Sequence, residues 1–244
     1  MISSARSRHE TRKVVSRDTP AAGIERTATM TCRSFSELQR HAQRGRDYRV
    51  AVRRGATGLL VMAPHGGGIE PGTDHLAAAL AGRRHAFYAF AGLKPHGNAS
   101  LHLSSHRFDE PAARRMVHAA RWVLTLHGHR GGDGVICVGG RDREGGRVFQ
   151  RCLRQAGFKA RSCGRKGIAG RHPANLCNRG RSGRGVQLEI ARDLRHARGP
   201  SGGIPAPGRR LLKTLTRALE KIHTRTTSTA DSDRCESRPP ARRP

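Results

Sequence analysis

No apolar run in this chain is longer than a β-strand. The most apolar, Leu59-Leu60-Val61-Met62-Ala63, is closed by Pro64 and a run of glycines, and runs of this size alternate with segments whose apolar residues recur at helical spacing. That alternation is the signature of an α/β layer fold. No stretch approaches the ~18 apolar residues of a membrane-spanning helix, which excludes a transmembrane protein. Strands are predicted over 46–52, 58–63, 85–91, 100–103, 122–126, 134–139 and 185–190. The first predicted helix covers 74–81, with Thr73 as its N-cap and Gly82 closing it. A second starts at Asp109-Glu110-Pro111, where acids and a proline favour a helix start, and runs to about residue 121. A third spans 147–156. The last spans 209–223 with Leu211, Leu212, Leu215, Leu219 and Ile222 on one side.

With its 30 glycines counted in, the chain's apolar fraction is about 46%, that of ordinary globular proteins. One domain over 30–223 follows. The polar, basic stretch 1–29 is expected to be a disordered extension, with Met30 an alternative start, and the Thr/Ser/Arg/Pro-rich stretch 224–244 a disordered tail. The six cysteines show neither C-x-x-C pairs nor regular spacing, so neither a zinc ribbon nor a disulfide scaffold is expected. The first 29 residues lack the apolar core of a secretory signal. Reduced thiols, a cytoplasmic setting and a monomer are the expectation.

The net charge is +29, with 47 Lys+Arg against 18 Asp+Glu, and residues 47–223 hold +21 of it. Such a field attracts polyanions: nucleic acid, an anionic surface or an acidic polymer. Only six of the 47 cations are lysine, so coding bias explains the excess equally well. Nine aromatic residues and no helix-turn-helix, zinc-finger or RRM signature weigh against a nucleic-acid-binding, replication-associated protein, which remains the second reading.

The chemistry-bearing residues fall where predicted strands end. In Ala63-Pro64-His65-Gly66-Gly67-Gly68-Ile69-Glu70-Pro71-Gly72-Thr73, three glycines separate a strand-end histidine from a glutamate, so the backbone can bring imidazole and carboxylate together. Nitrogen plus carboxylate is a zinc-type pair lacking a third ligand; a turn without a metal is the alternative. No Gly-Lys-Ser/Thr follows, so this is not a P-loop. In Thr125-Leu126-His127-Gly128-His129, His127 ends the strand alternation and is preferred over His129 as that ligand. Glu189 is the sole acid in the strand 185–190; it is either a general base toward water or on a solvated face. Asn175, Asn178 and Arg179 form a potential fork for a substrate carboxylate, and His106, in Leu101–Pro111, could line the same cleft. Gly139-Gly140-Arg141-Asp142 is a glycine-rich turn without an assigned role.

Together these segments, with Phe87-Tyr88-Ala89-Phe90-Ala91-Gly92, resemble the poly-γ-glutamate hydrolase family of bacteria and phages, in the family's order and over about residues 46–223. The resemblance implies a zinc-carboxypeptidase-like fold: a mixed central sheet flanked by helices, with one Zn2+ at the strand ends. It implies His65, Glu70 and His127 as zinc ligands, Glu189 as catalytic carboxylate, and Asn178 and Arg179 in a carboxylate pocket. It also implies hydrolysis of γ-glutamyl amide bonds in a polyanionic polymer, poly-γ-glutamate, with the surplus cations guiding the chain. The H-x4-E spacing differs from the H-x-x-E of the carboxypeptidases, and Ala91 stands where an acid is expected. A related zinc amidohydrolase or deacylase for small acylated amino acids would use the same ligand set.

Overall fold

A computed structural model describes residues 32–164, 168–196 and 204–236. The expected extension 1–29 and the last part of the expected tail, 237–244, lie outside these. In chain order the elements are α1 (Phe35–Gln39), β1 (Tyr48–Arg53), β2 (Leu59–Gly67), α2 (Thr73–Ala81), β3 (Ala86–Gly92), α3 (Pro111–Ala119), β4 (Trp122–His129), β5 (Val135–Gly140), α4 (Arg143–Gln155), β6 (Lys159–Ser162), β7 (Val186–Ala191), α5 (Arg192–Arg195) and α6 (Ala206–Glu236). The strands form one seven-stranded sheet in the order β1-β3-β2-β4-β7-β5-β6. β1 and β3 pair antiparallel, as do β5 and β7; the other neighbours are parallel. The expected mixed α/β sheet is therefore the observed one.

Strand alternation splits the core across the sheet. Leu59, Val61, Leu124, Leu126, Leu188 and Ile190 face one way, under α2, α4 and α6. Leu60, Met62, Tyr88, Phe90 and Val123 face the other, under α1 and α3. β3 and β4 lie on opposite sides of β2, and α2 and α3, which connect them, cover opposite faces. Such a switch in winding opens a crevice beyond the C-terminal strand ends.

Expected boundaries change at several points. The run 100–103 is not a strand: Asn98–Leu101 is a 3-10 turn entered at Gly97 with φ 73°. α2 is capped by Gly72 in the left-handed region, while the Thr73 hydroxyl donates to the Glu70 carbonyl at 2.9 Å. α4 begins at Arg143, four residues earlier than its glycines suggest, because the buried Asp142 carboxylate accepts from Gly145 N–H at 2.9 Å. The last helix passes residue 223 and continues to Glu236. There the Thr224, Thr227 and Ser228 hydroxyls bond carbonyls one turn back. Arg121 donates to Thr226 O at 2.6 Å and Arg225 pairs with Asp142, so part of the expected tail is anchored.

Asp142 thus joins three elements, since it also accepts from the buried Trp122 indole N–H at 2.8 Å. Asp142→Ala strands that donor and the first-turn amide, and should cost about 3 kcal/mol. Thermal denaturation checks this as a drop in Tm of roughly 10 °C.

Candidate metal centre

His65 reaches the crevice through a β-bulge. β2 pairs with β3 at Ala63↔Ala89 and next at Gly66↔Ala91, so β2 carries one extra residue there. The extra residue reverses the alternation. Ala63 belongs to the first core, whereas His65 turns to the other face, with its ring 6.2 Å from that of Phe108 and 4.0 Å from that of His102. On the neighbouring strands, His127 of β4 and Glu189 of β7 are in register, which puts their side chains side by side on one face.

Glu70 comes from the β2–α2 loop. Gly67 has φ 58°, and a Cβ there would lie 2.3 Å from Gly92 O, so the tight return past β3 admits only glycine. Glu70 N–H then donates to His65 O at 2.8 Å, folding the carboxylate back over the imidazole. Potential ligand atoms of His65, Glu70 and His127 all lie within 4.8 Å of one another. His65 Nδ1 is 3.1 Å from both Glu70 Oε1 and His127 Nδ1. Glu70 Oε2 accepts from Gly128 N–H at 2.8 Å.

The far nitrogens decide what this cluster can hold. His65 Nε2 donates to Leu103 O at 2.7 Å, and His127 Nε2 meets Ser105 Oγ at 3.2 Å. With both rings protonated there, two Nδ1 lone pairs and a carboxylate converge on one point. Repulsion among them is relieved by a cation, and two imidazoles plus one carboxylate, each anchored from behind, fit zinc. Without a cation, a proton on His65 Nδ1 facing Glu70 is favoured in its place. Burial opposes charge on His65, but Glu70 outweighs it and raises the pKa. Burial likewise opposes ionisation of Glu70, yet the two imidazoles and the Gly128 amide hold it down at about 2. Burial, with His65 adding to it, drives His127 down to about 3.

Glu189 is 7% exposed. Burial first, then the Glu70 carboxylate, push it up to about 8. Gln187 Nε2 donates to Glu189 Oε1 at 2.9 Å, and Gln187 Oε1 accepts from Asn175 Nδ2 at 3.0 Å. Beside the cluster lies a cleft of about 550 Å³ lined by Glu70, His102, Gly128, Arg130, Arg192 and Arg195, among others.

The structure thus brings His65, Glu70, His127 and Glu189 to one place but does not present the expected carboxylate fork. Asn178 Nδ2 donates to Gly170 O and His172 O, and its Oδ1 accepts from Arg141 and Gly185 N–H. Asn175 is committed to Gln187 and to Cys177 N–H. Arg179 donates to Phe108 O at 3.2 Å. His106 is exposed, bonded to Ser104 and 5.4 Å from the His172 ring. His129 closes the β4–β5 turn through Val135 O. Sequence reasoning missed Ser105, the Leu103 carbonyl, Gln187, His102 and Arg195. Only Gln187, one alternation from Glu189, carries a readable signal.

A family model described as poly-gamma-glutamate hydrolase matches residues 32–198. Among relatives in Bacillus subtilis (strain 168), UPF0714 protein YmaC is 39% identical over 140 residues, 57% of this chain and 59% of the relative. UPF0714 protein YndL is 37% identical over 163 residues, 66% of this chain and 64% of the relative. The chain therefore spans about three-fifths of the length of these relatives. A structure of bacteriophage poly-gamma-glutamate hydrolase superposes with a TM-score of 0.74 at 27% identity, covering 81% of this chain and 99% of that one. A zinc-free apo structure of YndL superposes with a TM-score of 0.72 at 31% identity, covering 78% and 96%.

Proposed function

This chain belongs to the poly-γ-glutamate hydrolase family, and from that premise we propose that it is a zinc-dependent hydrolase of γ-glutamyl amide bonds in poly-γ-glutamate. The observation that carries the reading is the convergence of His65, Glu70 and His127 within 4.8 Å, with Glu189 in register beside them on β7. His65 and His127, held from behind by Leu103 O and Ser105, and Glu70, held by the Gly128 amide, would bind the ion. When bound, zinc polarises a scissile carbonyl and lowers the pKa of water toward ~7. Glu189 takes the proton of the attacking water and returns it to the leaving amine. A carboxyl with a pKa raised toward neutrality suits both halves of that transfer. Gln187 fixes the direction of the Glu189 carboxylate.

Recognition of the polymer falls to the cleft rim in this reading. Arg130 and Arg192 line it, are exposed, and have no ion-pair partner among the described residues. They are placed to meet the free α-carboxylates of a γ-linked chain. Of the surplus charge, these two arginines are the part that bears on the function.

The test pairs composition with activity. Purified protein should hold about one zinc per chain and shorten poly-γ-glutamate; absence of metal, or metal without cleavage, sinks the proposal. KM should rise with ionic strength. The double variant Arg130→Glu, Arg192→Glu should raise KM roughly tenfold at low salt with kcat nearly unchanged, a difference that shrinks as salt screens the rim.

A further inference from the structure

Arg195 is 2% exposed and stands on α5, immediately after β7. It forms no ion pair within 4 Å among the described residues; its guanidinium is committed to backbone carbonyls. Nε donates to Ile190 O at 3.0 Å, one Nη to His129 O at 3.1 Å, and the other Nη to Pro71 O. These carbonyls sit on three separate segments, each bearing a group of the proposed centre. Pro71 follows Glu70, Ile190 follows Glu189, and His129 lies two residues beyond His127.

Two glycines make room for this residue. A Cβ at Gly128 would lie 2.2 Å from Arg195 Cζ, and one at Gly72 would lie 1.8 Å from Arg195 O. The glycine between His127 and His129 therefore has two roles, since its N–H also holds Glu70. A planar fork with five donors can reach three acceptors on diverging strands; an ammonium at one point cannot. Burial lowers the pKa of the guanidinium, and the Glu70 carboxylate opposes that shift only in part.

We infer that Arg195 is a positioning residue of the proposed hydrolase: it ties the Glu70 loop, the end of β4 and the end of β7 together, setting the spacing at which His65, Glu70, His127 and Glu189 meet. The inference rests on the hydrolase reading for its consequence but on the three hydrogen bonds for its geometry, and the two can fail separately.

The experiment uses the full chain with Arg195→Lys and Arg195→Ala. In metal-free protein, amide hydrogen exchange should rise about tenfold in peptides covering 70–73 and 126–130, with no change in α4. Zinc affinity, measured by competition with a chromogenic chelator, should fall 10–100-fold. kcat should fall about 100-fold, and added guanidinium ion should restore part of it to Arg195→Ala without accelerating wild type. If Arg195→Ala does not fold, Arg195→Lys, which keeps the stem and charge, is judged by the same measurements. Wild-type exchange at both peptides in a folded variant overturns the inference. If wild type binds no zinc, the hydrolase reading fails and the exchange comparison alone decides the positioning role.

Discussion

Replacing Glu189 with glutamine is expected to lower kcat about 10³-fold while bound zinc stays at the wild-type level. The substitution keeps the shape of the side chain and an oxygen that can accept from Gln187, and it removes only the capacity to carry a proton. A second consequence needs no substrate. The Glu189 carboxyl sits at about 8 in the fold against an ordinary value of 4.5, so the metal-free folded chain retains a proton that the unfolded chain releases. The sign follows. Stability associated with this group is complete below about pH 4.5 and is lost as pH rises toward 8. Metal-free Glu189→Gln should therefore match wild type at pH 4 and exceed it by about 2–3 kcal/mol at pH 7, on the order of the shift discounted for residual solvent. Kinetics, elemental zinc analysis and Tm against pH measure the three effects. More than a tenth of wild-type kcat surviving in the variant would remove Glu189 from the mechanism.

What could be read from the sequence divides by whether the information is local. The loop between His65 and Glu70 is contiguous, so glycines at 66–68 could be recognised as the means of bringing the two side chains together. The end of β4 was legible in the same way, because alternation runs out at His127. The β-bulge between Ala63 and Gly66 was not. Pro64 and the glycines read as the end of a strand, whereas β2 continues to Gly67 along β3, its proline tolerated where the ladder is broken. The pairing of His127 with Glu189 depends on a β4–β7 register that no short-range pattern encodes. Leu101 and Leu103 alternate like a strand and are both buried, but β2 already has a neighbour on each side, so their segment packs as a turn and lends Leu103 O to His65. Asn175 read as a substrate group because amides on a loop suit carboxylates; its partner is Gln187, twelve residues away. Arg195 gave no signal in an arginine-rich chain, since a buried guanidinium is identified by the carbonyls around it.

Removal of Glu70 should have the largest effect on the metal, and two substitutions separate its contributions. Its carboxylate stays ionised, held at about 2, and supplies the only anionic charge among the three candidate ligands. Two neutral imidazoles without it bind a divalent ion far more weakly. Glu70→Gln keeps an oxygen for the Gly128 amide but loses the ionised carboxylate that pairs with His65, so at pH 7 it should be less stable than metal-free wild type, bind zinc at least 10³-fold more weakly and show no measurable hydrolysis. Glu70→Ala also strands the Gly128 N–H, which is bonded at 2.8 Å in the native fold, and should lose a further 1–3 kcal/mol of stability. Zinc should raise the Tm of wild type by mass action on the folded state and leave both variants unmoved. That contrast tests the site independently of any substrate. A Glu70→Gln protein that still took up zinc and gained the wild-type increment in Tm would remove Glu70 from the ligand set.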